Sequence, residues 1–200
     1  MEDNDANCKR SGALLLFCGV LATIAMAHHP IGSGQGPLTP LVHGTLQITL
    51  LLELGAFAMV ARLLGGGLVA STGYACLLAG AGAGLIAGTI NGFVVPSLGG
   101  YGSDVLNEDI SAFAWHFNQA LSRLGVFGTG MGYAAWSYLL WQDGHRRLAG
   151  FGYFAGSVPV LLLIADYISM EYHGALAAYV AQSMWLVALG WFLYRKGRAA

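Results

Sequence analysis

The chain has 200 residues, of which 56% are hydrophobic and only 10% are Asp, Glu, Lys or Arg, with a formal net charge of −1. Soluble domains carry about a quarter charged residues, so this chain lacks the charged exterior that water requires, and its near-neutral balance gives no basis for nucleic-acid binding. The solvent for most of its surface is lipid.

Six apolar runs predict an all-α, polytopic bundle forming one domain over residues 1–200. The spans are expected at about 12–27, 41–63, 68–95, 110–141, 148–168 and 175–194, after a tail at 1–11. A bilayer core is crossed by roughly 20 apolar residues. The first run is therefore short and the fourth long. Lys9 and Arg10 precede the first run, and Arg62 follows the second. Arg146 and Arg147 separate the fourth from the fifth, and Arg195, Lys196 and Arg198 follow the sixth. The segments at the other ends, His28 to Pro40, Pro96 to Asp109 and Ser169 to Gly174, contain no Lys or Arg. Cations that recur on one side of each crossing mark that side as cytoplasmic. Both termini are thus expected inside, in a bacterial inner membrane.

The first run has a second reading. Lys9 and Arg10, a short apolar stretch and Ala25-Met26-Ala27 also fit a secretory signal cut before His28, which would leave five spans. The acidic Glu2, Asp3 and Asp5 argue against it. Of the three cysteines, Cys8 falls in the tail, Cys18 in the first span and Cys76 in the third. None lies in an outer segment, and no structural disulfide is expected.

Along the third run, Gly80, Gly84, Gly88 and Gly92 recur every four residues and predict a groove for a neighbouring helix, with a dimer seam as the alternative. Gly128 with Gly132 and Gly152 with Gly156 are shorter versions. Pro96 is expected to end the third helix, Asn107 to cap the fourth and Pro159 to kink the fifth. Trp136, Tyr138 and Trp141, with Trp191 and Tyr194, fit an interfacial belt at the inner side.

Five of the six histidines fall at the outer side: His28, His29, His43, His116 and His173. The runs bearing His43, His116 and His173 all descend inward from a histidine near the outer end, and HG-x-L occurs at both His43 and His173. Convergence of the three would suit a transition metal. His43 facing His116 would suit haem b. A metal brace at His28 and His29 would require cleavage before His28.

Asp109, His116, Gln119 and Arg123 share a face of the fourth helix, with Asn118 and Ser122 on a ridge beside it. Arg123 is the one cation outside the cytoplasmic turns, and a charge at span depth is usually paired or faces water. Glu53 is its expected partner: it lies about 15 Å below His43, and Arg123 about 10 Å below His116, at about 1.5 Å per residue. Glu53, Arg123, Gln119 and Gln47 form the candidate intramembrane polar site, either as an ion pair that sets helix register or as a polar pathway.

The chain contains no phosphate loop, G-x-S-x-G, H-E-x-x-H, C-x-x-C or C-x-x-C-H. Three readings remain: a binding or redox protein holding haem or a metal, a small proton-coupled permease, and an accessory subunit bound to a membrane partner or to a second copy.

Overall fold

The computed structural model describes residues 2–29, 38–98 and 104–198. They form helices α1 (Glu2–Ala27), α2 (Leu38–Leu63), α3 (Leu68–Thr89), a π-helical turn (Ile90–Val94), α4 (Val95–Leu98), α5 (Asp104–Gln142), α6 (Arg146–Ile164) and α7 (Tyr172–Lys196), with no strand among the described residues. Among the described residues five stretches are long and apolar enough to cross a membrane: Asp5–Ala27, Leu38–Leu63, Leu68–Leu98, Arg146–Ile164 and Tyr172–Lys196. The 39-residue α5 is not among them, because Thr129, Ser137 and Gly125, Gly128, Gly130 and Gly132 dilute its apolar half. Large apolar side chains such as Phe17, Ile48, Phe113, Leu161 and Ile164 are exposed around the outside, as expected where lipid is the solvent.

Several helix ends differ from those expected. α1 continues back to Glu2, so the short first run belongs to a full-length helix. α5 starts at Asp104, which puts Asn107 inside the helix and removes its role as a cap. The helical path after α3 runs through Pro96 to Leu98. A proline ring collides with the carbonyl four residues back and lacks an N–H. The wider π turn, which contains that carbonyl on Gly92, makes room for it. α6 is continuous across Pro159.

Neighbours along the chain run antiparallel, and small residues bring them together. A Cβ on Gly80 would lie 2.8 Å from the Thr129 amide nitrogen, and one on Gly128 would lie 2.7 Å from that of Gly80. Backbone touches backbone there, so α3 and α5 approach as closely as helices can. Gly12 and Gly190 do the same for α1 and α7, and Gly130 and Gly156 for α5 and α6. The glycine ladder of α3 serves more than one neighbour. Gly80 seats α5, Gly84 and Gly88 have only Leu50 and Gln47 of α2 within reach, and Gly92 lies against His43.

The helices close into a ring. α1 packs on α2, α2 on α3, α3 on α5, α5 touches α7, and α7 returns along α1, while α6 lies against α5 and α7. Among the described residues the backbones of α2 and α5 or α7 do not approach across the middle, and only side chains bridge it, as where Phe57 of α2 meets Trp136 of α5 edge to face with ring centroids 5.7 Å apart. Half of the ring's centre is filled. Phe57, Leu77, Tyr133, Trp136, Trp185 and Leu189 form a core there, with the Tyr133 and Trp185 rings 4.2 Å apart. Trp136 belongs to this core and not to an interfacial belt: it is fully buried, and its indole N–H donates to the Ala70 carbonyl at 3.1 Å. Tyr138, Trp141 and Trp191 are exposed, and Arg146 and Arg195 stack over Trp141 and Trp191.

Candidate functional site

The other half of the ring's centre is open. A cavity of about 1080 Å³ runs from the His29 end of the bundle down to Phe57, Leu77 and Tyr133, between α2, α3, α5 and α7, with Ala22, Met26 and His29 of α1 at its side. It exists because the ring is too wide for facing helices to meet, and because Gly80, Gly84 and Gly88 leave one wall without side chains.

Glu53 lies deep in this cavity. It is 5% exposed and makes no hydrogen bond or salt bridge among the described residues. Its titratable neighbours are Cys18 on α1 and Tyr133 on α5, both close enough to interact with its charge. An ionised carboxylate with no partner is expensive to hold inside a membrane. The group must therefore be served by a proton, by water or by something that enters.

Arg123 is not its partner. The guanidinium points away toward the loop after α6, where Nη2 lies 3.8 Å from Asp166 Oδ1, and both side chains are substantially exposed. Gln119 follows the same face, and its amide donates to the Met170 carbonyl at 3.1 Å. The stripe of Asp109, His116, Gln119 and Arg123 thus lies away from the cavity: Asp109, His116 and Arg123 are exposed, and none of the four lines it. The adjacent ridge supplies the wall instead. Ser111, Trp115, Asn118, Ser122, Gly125, Thr129 and Tyr133 recur at intervals of three or four and face the space. Asn118 also donates to the Ala87 carbonyl at 2.8 Å, fastening α5 to α3. Gln182 of α7 reaches the Val126 carbonyl at 3.3 Å. Gln47 donates to Thr89 Oγ1 at 2.7 Å and borders the cavity beside Gly88.

The histidines separate into different environments. His43 is buried, and its Nδ1–H donates to the Thr39 carbonyl at 2.8 Å. That bond leaves Nε2 as the acceptor, and His29 Nε2–H meets it at 3.2 Å. The two rings are edge to face, 4.8 Å between centroids. Gly92 of the π turn is what lets His43 sit so close to the wall. His28 is exposed and donates from Nδ1 to the Ile24 carbonyl. His173 is exposed at the rim beside Tyr172, unlike His43, so the shared HG-x-L does not mark equivalent places. His116 is exposed and does not line the cavity that His43 and His173 border, so the three histidines expected to converge do not share it. Among the described residues no three His, Cys, Asp or Glu side chains come together in a metal-ligating group.

Comparison with known protein families, with curated proteins and with solved structures finds no match to this chain. The cavity itself carries the functional argument.

Asn118 and Ser122, expected only as a ridge beside the charged stripe, line the cavity, and Thr129, Tyr133, Tyr179, Gln182 and Ser183 are lining residues that the sequence did not single out. Small and hydroxyl residues at helical spacing, continuous over six turns of α5, are the pattern that marks them.

Proposed function

We propose that this chain is a six-span inner-membrane permease with cytoplasmic termini, in which Glu53 carries a proton that is exchanged as a solute occupies the cavity. Alternation of antiparallel helices gathers Lys9, Arg10, Arg62, Arg146, Arg147, Arg195, Lys196 and Arg198 at one end, which supports the cytoplasmic assignment of that end. The long seams of α5 with α3 and α6 support counting it as the sixth span. Leu15 and Cys18, fully buried against the bundle, support α1 as a retained span.

The observation that carries the reading is a single unpartnered carboxyl group in a large cavity that reaches one end of the bundle and is blocked at the other by packed aromatic rings. That is the form of one access state of an alternating-access carrier. The chain's residues divide the work. Glu53 holds or releases the proton, Gln47, Asn118, Ser122 and Thr129 offer hydrogen bonds to the occupant, and the glycine wall lets it pass the backbone. Opening of the blocked half requires Tyr133 and Trp185 to part, while the α3–α5 seam moves as a unit.

The test is proton movement in proteoliposomes. A panel of cationic, neutral and anionic solutes is added to reconstituted protein, and internal pH is followed with a trapped dye. The reading predicts solute-dependent proton flux in wild type and its loss in Glu53→Gln. Wild-type protein without flux for any solute class, or Glu53→Gln with undiminished flux, contradicts it.

A further inference from the structure

We infer that the occupant of the cavity is a lipophilic organic monocation, such as an alkylated amine or an aryl phosphonium; the inference rests on the permease reading for its transport consequence, but not for binding. The charge of the wall decides the class. Among the described lining residues there is no Lys or Arg, whereas Glu53 lies at depth and Glu108 and Glu171 stand near the mouth. Arg123, which would have neutralised Glu53, is committed to Asp166 outside the cavity. The lining histidines, His29, His43 and His173, stand at the mouth, so an anion passing them would meet the Glu53 carboxyl at depth with no Lys or Arg beside it. A cation would find the partner that the fold withholds from Glu53.

The rest of the lining sets the chemical character of that cation. Phe57 and Tyr133 at the floor and Trp115 on the wall make the lining aromatic, and a cation near an aromatic ring gains most when water is excluded. A small hydrated metal ion would lose its water shell and gain one carboxylate, a poor exchange where hard cations need six or more oxygen ligands. A bulky ion with diffuse charge has a weak hydration shell and apolar surface to bury. The volume, about 1080 Å³, lies at the upper end of the range for drug-sized ligands. One carboxylate also sets the stoichiometry. A monocation that displaces the proton of Glu53 sends one proton to solution, so the loaded and empty cavities carry the same charge.

The experiment uses two ions of nearly equal shape and opposite charge. The full chain in lipid nanodiscs is equilibrated with tetraphenylphosphonium or with tetraphenylborate, and binding to empty nanodiscs is subtracted. Wild type is expected to hold the phosphonium saturably, at least about tenfold more tightly than the borate. Glu53→Gln is expected to lose about tenfold or more of that affinity, and Glu53→Asp to keep most of it; thermal melting of each variant reports folding. Equal or stronger binding of the borate by wild type overturns the inference without reference to any mutant. Undiminished phosphonium binding by a folded Glu53→Gln overturns it as well. Phosphonium binding without uptake into proteoliposomes leaves the ligand class standing and ends the permease reading. Glu53-dependent uptake of an anion or neutral solute, but not of the phosphonium, does the reverse.

Discussion

His29 Nε2 lies 3.2 Å from His43 Nε2, and the Thr39 carbonyl, which takes the Nδ1 proton of His43, determines which imidazole donates to the other. This pair ties the end of α1 to the start of α2 at the mouth of the cavity. His43 is therefore a structural pin at the rim, buried and held on both ring nitrogens. His43→Ala is expected to lower stability by about 1–3 kcal/mol, the usual cost of leaving a buried polar partner unmade. Thermal unfolding in mild detergent measures this, and His29→Ala, at the less buried partner, is expected to show a smaller loss.

The glycine seams make a graded prediction. Leu in place of Gly80 or Gly128 would drive a side chain into the opposing backbone, where even a Cβ would sit at 2.8 Å or 2.7 Å. Overpacking of this kind costs about 1–3 kcal/mol or more. Gly88→Ala, whose Cβ meets nothing nearer than Gln47 at 3.6 Å, is expected to melt within about 0.5 kcal/mol of wild type. Equal melting of Gly128→Leu and Gly88→Ala would contradict the assigned seam between α3 and α5.

Glu53 and Arg123 are expected to behave independently. The double variant Glu53→Gln/Arg123→Gln should equal the sum of the single variants within about 0.3–0.5 kcal/mol, because they share no partner. Arg123→Gln alone should cost less than about 1 kcal/mol, since its bridge to Asp166 is long and exposed. A double-mutant cycle with strong coupling between Glu53 and Arg123 would restore the ion pair that the fold separates.

Ser137 offers the opposite sign. Its hydroxyl oxygen is buried with no hydrogen-bond partner among the described residues, wedged near Gly152 and Trp185. Ser137→Ala removes an unsatisfied polar atom at little cost in volume, so it is expected to preserve stability or raise it by about 1 kcal/mol. A marked loss on melting would show that the hydroxyl has a partner.

Much of the fold was legible because lipid imposes a strong pattern. The apolar runs and the recurrence of Arg62, Arg146 and Arg195 at alternate turns require no knowledge of packing. The candidate site was legible only in part. Glu53 stood out as an acidic residue in an apolar run, and Gln47 with it. Arg123 misled the pairing because sequence depth says how far along a helix a residue lies and not which way its neighbours turn that helix. The same rotation put His116 outside and Asn118, two positions on, in the wall. The cavity was invisible in sequence, since it arises from the way the helices close into a ring and from the glycine wall of α3, neither of which a single run of residues displays.

Water reaching Glu53 from the open end of the ring is the claim on which the permease reading and the ligand class both stand. The direct measurement is labelling by a charged, water-soluble methanethiosulfonate. In nanodiscs, a background with Cys8, Cys18 and Cys76 replaced by Ala carries either Glu53→Cys or Leu51→Cys, and adducts are counted by intact mass. Leu51 is 57% exposed on the outside of the bundle, where lipid covers it, whereas Glu53 faces the cavity. The account predicts rapid modification of Glu53→Cys and little at Leu51→Cys. Modification of Leu51→Cys with Glu53→Cys inert would contradict it.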